Sequence, residues 1–537
     1  MTIADKTQYE RHQKASCADS FFSVRERLLT MLLFGSMGAI TWAIRGTSGW
    51  GGIDGTIVPG LTWGLLWYYL CQRKGIDARG LVLWLGLGIA LGGELGYGQY
   101  VSWIQGNFHV GESVAPISPI HGYIWFAICG AGWGAPGGVV LGWVLDDGAS
   151  FARWAMRVFL VCLLFVLLFN LGAPLIGMGV IDWIGDRIAH THPGILFPNA
   201  HLGVYAGELD KHLARTVYTN TQNASVVIWW IAAMALAAIQ RDRATLLCGG
   251  IIGGGFGLGL MLSAIWCLGY TYAPSFIDWW KLWELNAGFN LGLLYAIAMF
   301  WAIRQLEFSR GWTDTPINSK GAYTPKRKWT TTMFTAIAGF VLIFVAGFEY
   351  FFWTGLLLGV FYVVALLVSA WMADGSDNPA RFQECHNAIL LVFSIFLLLF
   401  ILLHGASSRA GIVLGFYDDQ AADQYAWPAP RIALFLPAAA VLVIATMSAM
   451  KKLMRHIVKP SKLIKKHSQL PDRMLDLLAF IAFIGALTIW PEKIGIIYAF
   501  FLCVAVFAWT QLGRQYDEID VQPTHASTTT LRDTVTR

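Results

Sequence analysis

Apolar residues run through this chain in blocks of about twenty, separated by shorter polar stretches. Each block is long enough for an α-helix to cross the hydrocarbon core of a bilayer. A backbone that crosses lipid must satisfy its own N–H and C=O groups, so blocks of this kind are expected to be helical throughout. Reading them against their flanks predicts about fourteen spans, at roughly 28–45, 55–71, 81–103, 119–145, 158–182, 224–239, 245–267, 276–303, 330–348, 351–371, 388–404, 431–450, 474–490 and 495–512. The expected fold is therefore all-α, a polytopic integral membrane protein.

The basic residues order these spans. With the N-terminus in the cytoplasm, alternate loops collect Arg73, Lys74 and Arg79, then Arg153 and Arg157, then Arg241 and Arg243, then Arg304 to Lys328, and last Lys451 to Arg473. The opposite loops carry chiefly Arg187, Lys211, Arg215 and Lys493. This asymmetry follows the positive-inside rule, and an even number of spans returns the C-terminus to the cytoplasm. The expected organisation is a cytoplasmic segment 1–27, an eight-helix core 28–303, a cytoplasmic linker 304–329, a six-helix scaffold 330–512 and a cytoplasmic tail 513–537. The expected location is the plasma (inner) membrane, multi-pass.

Composition closes off other classes. Only 13% of residues are charged, 56% are hydrophobic and the mean hydropathy is +0.55, too little polarity to cover a water-soluble surface. The net charge of +5 is modest and lies mostly in one set of loops, so it reads as topology and not as affinity for nucleic acid. The first 27 residues are polar and lack the apolar core of a cleavable leader, which leaves the first span as the insertion signal. Eight scattered cysteines with no Cys-x-x-Cys pair suggest neither a disulfide framework nor a cysteine zinc site.

An internal repeat is also expected. Gly92-Gly93-Glu94-Leu95-Gly96-Tyr97-Gly98 aligns with Gly253-Gly254-Gly255-Phe256-Gly257-Leu258-Gly259. Ala115-Pro116, Trp125, Gly130 and Gly134 align with Ala273-Pro274, Trp283, Gly288 and Gly292. Both copies run in the same sense, which makes the duplication parallel, with units of about 28–157 and 158–303. Gly88, Gly92 and Gly96, and likewise Gly249, Gly253 and Gly257, recur every four residues, a spacing that puts small residues on one helical stripe and lets backbones approach closely.

Polar residues within spans are costly and so carry the candidate chemistry. Glu94, near the middle of the third span, is the candidate coupling carboxylate; its alternative role is a hydrogen bond to a neighbouring helix. In the eighth span Asn286 and Asn290 lie four apart beside Trp283, and amides next to an indole suit a hydroxylated or amide-bearing solute. Interhelical hydrogen bonding is the competing use of such amides. Lys281 and Glu284, three apart, read as an interfacial salt bridge. Arg45 and Asp54 flank a glycine-rich turn that is able to cradle an anion, or alternatively serve as a snorkelling side chain and a helix cap. His121 falls in the first turn of the fourth span. His190, His192, His201 and His212 share one external loop with Glu208 and Asp210, a set with metal-ligand chemistry but no defined scaffold. No metal and no cofactor is expected.

These features lead to a transporter or permease for a small polar or anionic solute, with a proton as the candidate coupling ion. Its expected partners are the lipid bilayer, the solute and, through the last six helices, a second copy of itself. A membrane-embedded transferase acting on a lipid-linked or cell-surface substrate at the external face is the rival reading, with Arg45, Asp54, His121 and the histidine loop as its site. A non-catalytic scaffold subunit is the third. The topology is testable directly: in a background without reactive native cysteines, Ala200→Cys should react with an impermeant maleimide on intact cells and Thr315→Cys should not. Labelling in the reverse pattern would overturn the orientation.

Overall fold

The computed structural model describes residues 22–45, 59–67, 97–110, 113–145, 150–165, 211–310 and 494–521, with isolated helical positions elsewhere. Of the described residues 89% are helical. Five helices among them are long and apolar enough to cross a membrane: Pro119–Trp143, Gln222–Ile239, Arg243–Tyr272, Trp279–Ala302 and Gly495–Gly513. Each coincides with one of the expected spans, as is consistent with an integral membrane protein, and the described residues are mostly helical.

The first helix, α1 (Val24–Arg45), starts earlier than the apolar run because Ser23 and Glu26 cap it reciprocally. The Glu26 N–H donates to Ser23 Oγ at 3.1 Å and the Ser23 N–H to Glu26 Oε2 at 2.7 Å, which satisfies two donors that a helix start otherwise leaves open. A short helix α2 (Gly98–Ile104) is followed by α3 (Pro119–Leu145), whose bounds match the expected fourth span. Pro119 suits the first helical position, where a missing N–H costs nothing. After α3 come α4 (Phe151–Phe165) and α5 (Lys211–Ile239).

The expected seventh span is continuous from Arg243 to Tyr272 but changes pitch. It comprises α6 (Arg243–Gly249), a π turn (Gly250–Gly254), α7 (Gly255–Ser263), a 3₁₀ turn (Ala264–Leu268) and α8 (Gly269–Tyr272). Then follow α9 (Trp279–Arg310) and, far along the chain, α10 (Gly495–Val521).

Among the described residues, a departure from an all-α fold lies between α2 and α3. Strands β1 (Asn107–Val110) and β2 (Ser113–Pro116) pair antiparallel, with Asn107 opposite Pro116 and Val110 opposite Ser113. Gly106, with φ of +83°, makes the left-handed entry to this hairpin, a conformation that only glycine adopts without strain. The segment is too short and polar to span, so it satisfies its backbone by folding on itself. Phe108 anchors it, fully buried with its ring 5.7 Å from that of Trp103.

Helix packing rests on glycines that face carbonyl oxygens. Along α3, a Cβ at Gly130, Gly134 or Gly138 would sit 2.6, 2.5 and 2.6 Å from the carbonyl oxygens of Phe256, Ile252 and Cys248. On α9, a Cβ at Gly288 or Gly292 would collide with the α1 backbone at Gly38 and Phe34. The stripe expected at Gly249, Gly253 and Gly257 divides between two neighbours. Gly253 lies under Trp230 of α5, Gly249 under Met234 of α5 and Val139 of α3, and Gly257 meets Ala127 and Ala131 of α3. The π turn between them has i→i+5 bonds and shifts the register, so a spacing of four no longer follows a single face. Gly92 and Gly96 of the third span lie outside the described residues.

α10 lies against α1 and α9: Phe501 meets Phe289 at 5.8 Å, and the Arg25 guanidinium donates to Gln511 Oε1 at 2.8 Å. A further tie joins α4 to the turn before α6. Arg157 was expected in a basic loop, but it is 1% exposed and pairs with Asp242 at 2.9 Å between the rings of Trp154 and Trp143. Asp242 also caps α6 through the Thr245 N–H and hydroxyl, at 3.0 and 2.5 Å. The buried cation is thus paired, stacked and hydrogen-bonded, which is the condition for burying it at all.

The α3 seam makes a sharp steric prediction. Gly138→Val should destabilise the protein by about 1–3 kcal/mol or more, because the obstacle is a backbone carbonyl and not a mobile side chain. Gly513→Ala, where nothing lies within 4 Å, should be neutral or stabilising by up to about 1 kcal/mol. Unfolding of the two variants in detergent measures both; equal stability would contradict the seam.

Candidate functional site

The start of α9 carries the densest polar and aromatic assembly among the described residues. Asp278 caps the helix, accepting from the Lys281 N–H at 3.0 Å. This fixes the first turns so that Trp280, Trp283 and Glu284, at i, i+3 and i+4, share one face. Tyr97, immediately before α2, lies over that face. Its ring is 4.9 Å from Trp283, 5.5 Å from Trp280 and 5.1 Å from Trp133 of α3.

Glu284 is the centre of this assembly. Its Oε1 accepts from the Tyr97 hydroxyl at 3.0 Å and from the Trp280 indole N–H at 3.1 Å, and its Oε2 accepts from Lys281 Nζ at 2.5 Å. The Lys281 and Glu284 side chains are 1% and 0% exposed. Removing an ion pair from water costs several kcal/mol per ion and is repaid only where the geometry is close and the other lone pairs are satisfied. Three donors on one carboxylate meet that condition. The pair read from spacing as an interfacial salt bridge is therefore fully buried. Trp283 stands beside it as a buried ring whose Nε1 has no acceptor.

A second polar cluster adjoins the first. The Tyr100 hydroxyl donates to Asn220 Oδ1 at 2.7 Å and accepts from Asn223 Nδ2 at 3.1 Å, while Gln99 Nε2 reaches Asn220 Oδ1 at 3.5 Å. Tyr100 stacks on Trp125 at 5.7 Å. The two clusters meet across Phe126, whose ring is 5.7 Å from Tyr100 and 5.2 Å from Trp283.

Of the residues singled out from sequence, Trp283 belongs to this assembly. Asn286 is half-buried and has no part in it. Asn290 donates to the Gly259 carbonyl at 3.0 Å, an interhelical bond that joins α9 to α7. His121 lies in the first turn of α3, where Nδ1 is 2.9 Å from the Ser118 carbonyl; the ring nitrogen donates there and ties down the helix start. The side chains of Arg45 and His212, and Asp54, Glu94, His190, His192 and His201 entirely, lie outside the described residues. Among the described residues no group of three or more His, Cys, Asp or Glu is placed to hold a metal.

Sequence reasoning passed over Tyr97, Trp280, Tyr100, Asn220 and Asn223. The amides carried a signal, since Thr219, Asn220, Gln222 and Asn223 crowd one turn. A span set to begin at 224 left them in a loop, whereas α5 begins at Lys211 and presents them to Tyr100.

The assembly predicts unequal costs for changes at two of its residues. Tyr97→Phe removes a donor from a buried carboxylate and should cost about 1.5–3 kcal/mol. Trp283→Ala should cost about 3–5 kcal/mol through lost ring contacts, whereas Trp283→Phe, which loses no hydrogen bond, should cost far less. Reversible unfolding in detergent checks the order; a neutral Tyr97→Phe would contradict the bond.

Comparison with protein-family models, with curated proteins and with solved structures gives no match for this chain.

Proposed function

We propose that this protein is a membrane transporter for a small polar or anionic solute, which it binds where Tyr97, Trp280, Lys281, Trp283 and Glu284 meet. The observation that carries the reading is the fully buried Lys281–Glu284 pair inside a helix suited to span the membrane. Ionisable residues in such helices are costly, face the protein interior and commonly mark a solute or ion pathway. Aromatic rings around a few convergent charged and hydrogen-bonding groups supply the usual chemistry of a small-molecule site.

The finer architecture belongs to the same proposal: about fourteen spans, a parallel repeat over 28–303, both termini cytoplasmic and residence in the plasma membrane. In that orientation the site lies toward the external ends of its helices, with Glu284 about 7.5 Å along α9 from Trp279. Glu94, three residues before Tyr97 in sequence, is the candidate group for proton coupling. The shallow position also favours a second reading, a membrane-embedded transferase working at the external face, because an enzyme on a surface substrate needs no mid-depth site.

Purified protein in proteoliposomes decides between them. A transporter should exchange a labelled polar solute across the vesicle wall without changing it chemically. Glu284→Gln should reduce the rate at least tenfold, and Glu94→Gln should abolish accumulation driven by a pH gradient while exchange persists. Chemical conversion of the solute without flux would replace transport by the transferase reading.

A further inference from the structure

We infer that the turn between α5 and α6 holds the phosphate of an anionic phospholipid, an inference that rests on the orientation proposed above and not on the solute. The turn departs from the rule for its type. Helix α5 ends in two overlapping bonds, from the Asp242 N–H to the Ala237 carbonyl at 2.8 Å and from the Arg241 N–H to the Ala238 carbonyl at 3.1 Å. Such an ending needs a left-handed residue at its centre, a place taken usually by glycine and sometimes by asparagine. Here the residue is Arg241, with φ of +54°, the one non-glycine residue of positive φ among the described residues. The side chain of an L-residue makes that conformation unfavourable. Among the described residues the exposed Arg241 guanidinium makes no hydrogen bond or ion pair, so the fold itself gives no reason for arginine over glycine. A backbone held in this way against its preference points to a role outside the fold.

A second exposed arginine stands two residues on. Arg243 opens α6, and the carboxylate between the two, Asp242, is buried and bonded to Arg157 and Thr245. Arg153 of α4 reaches the same turn, its Nη2 3.4 Å from the Gln240 carbonyl. Planar guanidinium forks match the oxygens of a phosphate. Exposed apolar surface lies on the same two helices: Ile239, the last residue of α5, is 79% exposed, and Met156 and Phe159 of α4 are exposed as well. A free anion has no use for that surface, whereas a phospholipid lays its chains along it and sets its headgroup at the arginines. In the proposed orientation the turn faces the cytoplasmic leaflet, whose anionic lipids attract basic groups at the membrane surface.

Thermal unfolding in lipid nanodiscs tests the site. Discs of phosphatidylcholine alone are compared, at one ionic strength, with discs in which phosphatidylglycerol replaces part of it. Phosphatidylglycerol should raise the Tm of the unaltered protein by several degrees. Arg241→Gly should be at least as stable as the parent in phosphatidylcholine, since glycine relieves the left-handed backbone, yet lose more than half of the phosphatidylglycerol gain. Arg241→Asn, which also tolerates the conformation, should behave alike, and Arg241→Gly/Arg243→Gln should lose the gain entirely. Arg25→Gln removes an exposed charge of the same sign elsewhere and should keep it. An unchanged gain in the double variant, or equal losses in Arg25→Gln and Arg241→Gly, would reduce the effect to diffuse surface charge and overturn the inference. No gain in the unaltered protein overturns it too, as would follow if Asp146 and Asp147, which precede α4 and lie outside the described residues, neutralised these arginines. Inorganic phosphate added to phosphatidylcholine discs separates a headgroup from a free anion: it should leave Tm unchanged, and an equal rise would overturn the lipid assignment in favour of a soluble phosphate. Discs expose both faces and no flux is measured, so failure of the orientation or of the transport reading leaves these outcomes unaltered.

Discussion

The bond between Lys281 and Glu284 is the interaction on which the surrounding structure depends. Two full charges held away from water are tolerable only in contact with each other, and the carboxylate needs further donors for its remaining lone pairs. Tyr97 and Trp280 supply them, which draws the chain before α2 onto the start of α9. Phe126 then leans on Trp283 from α3, and Trp133 on Tyr97. The rings exclude water, and the exclusion of water strengthens the ionic bond that gathers the rings. Polar and apolar terms are thus mutually conditional here.

Such an arrangement requires helices close enough for Tyr97 to reach the Glu284 carboxylate on α9 while the rings of α3 pack around both. The glycine seams provide that closeness. α3 approaches the seventh span to within a carbonyl's reach at Gly130, Gly134 and Gly138, and α9 approaches α1 at Gly288 and Gly292. Without water in the bilayer core to drive apolar association, contact at this range and hydrogen bonds between helices supply the cohesion. Trp63 Nε1 donating to the Phe34 carbonyl at 2.9 Å and Trp229 Nε1 to that of Leu160 at 2.7 Å are instances. Arg157 and Asp242 repeat the logic of the Lys281 pair at the turn between α5 and α6.

Hydropathy located the spans well where apolar length and punctuation agree. Pro119 opens α3 and Asp146-Asp147 follow it, and the helix keeps the expected bounds. It failed where helical hydrogen bonding continues into polar sequence: α5 extends back to Lys211 because Asn220 and Asn223 find Tyr100, a partner about 120 residues away in the chain. The spacing of Lys281 and Glu284 was plain in sequence, but their burial was not, since it depends on Tyr97, 187 residues distant from Glu284. Asn290 shows the converse. Its setting beside an indole reads as a recognition motif, and its Nδ2 donates to the carbonyl of Gly259, the interhelical use that competes with that reading. The π turn at Gly250–Gly254 likewise left no mark in a glycine spacing that assumes an unbroken helix.

A double-mutant cycle across the central pair tests this account most directly. Thermal unfolding in detergent or nanodiscs would be compared for Lys281→Met, for Glu284→Gln and for the two together. Because each single change strands a group in a site without water, the account predicts large losses for both singles and a clearly smaller loss for the double than their sum. Losses that simply add would show that the two residues do not sense each other, and would contradict a buried, mutually dependent pair.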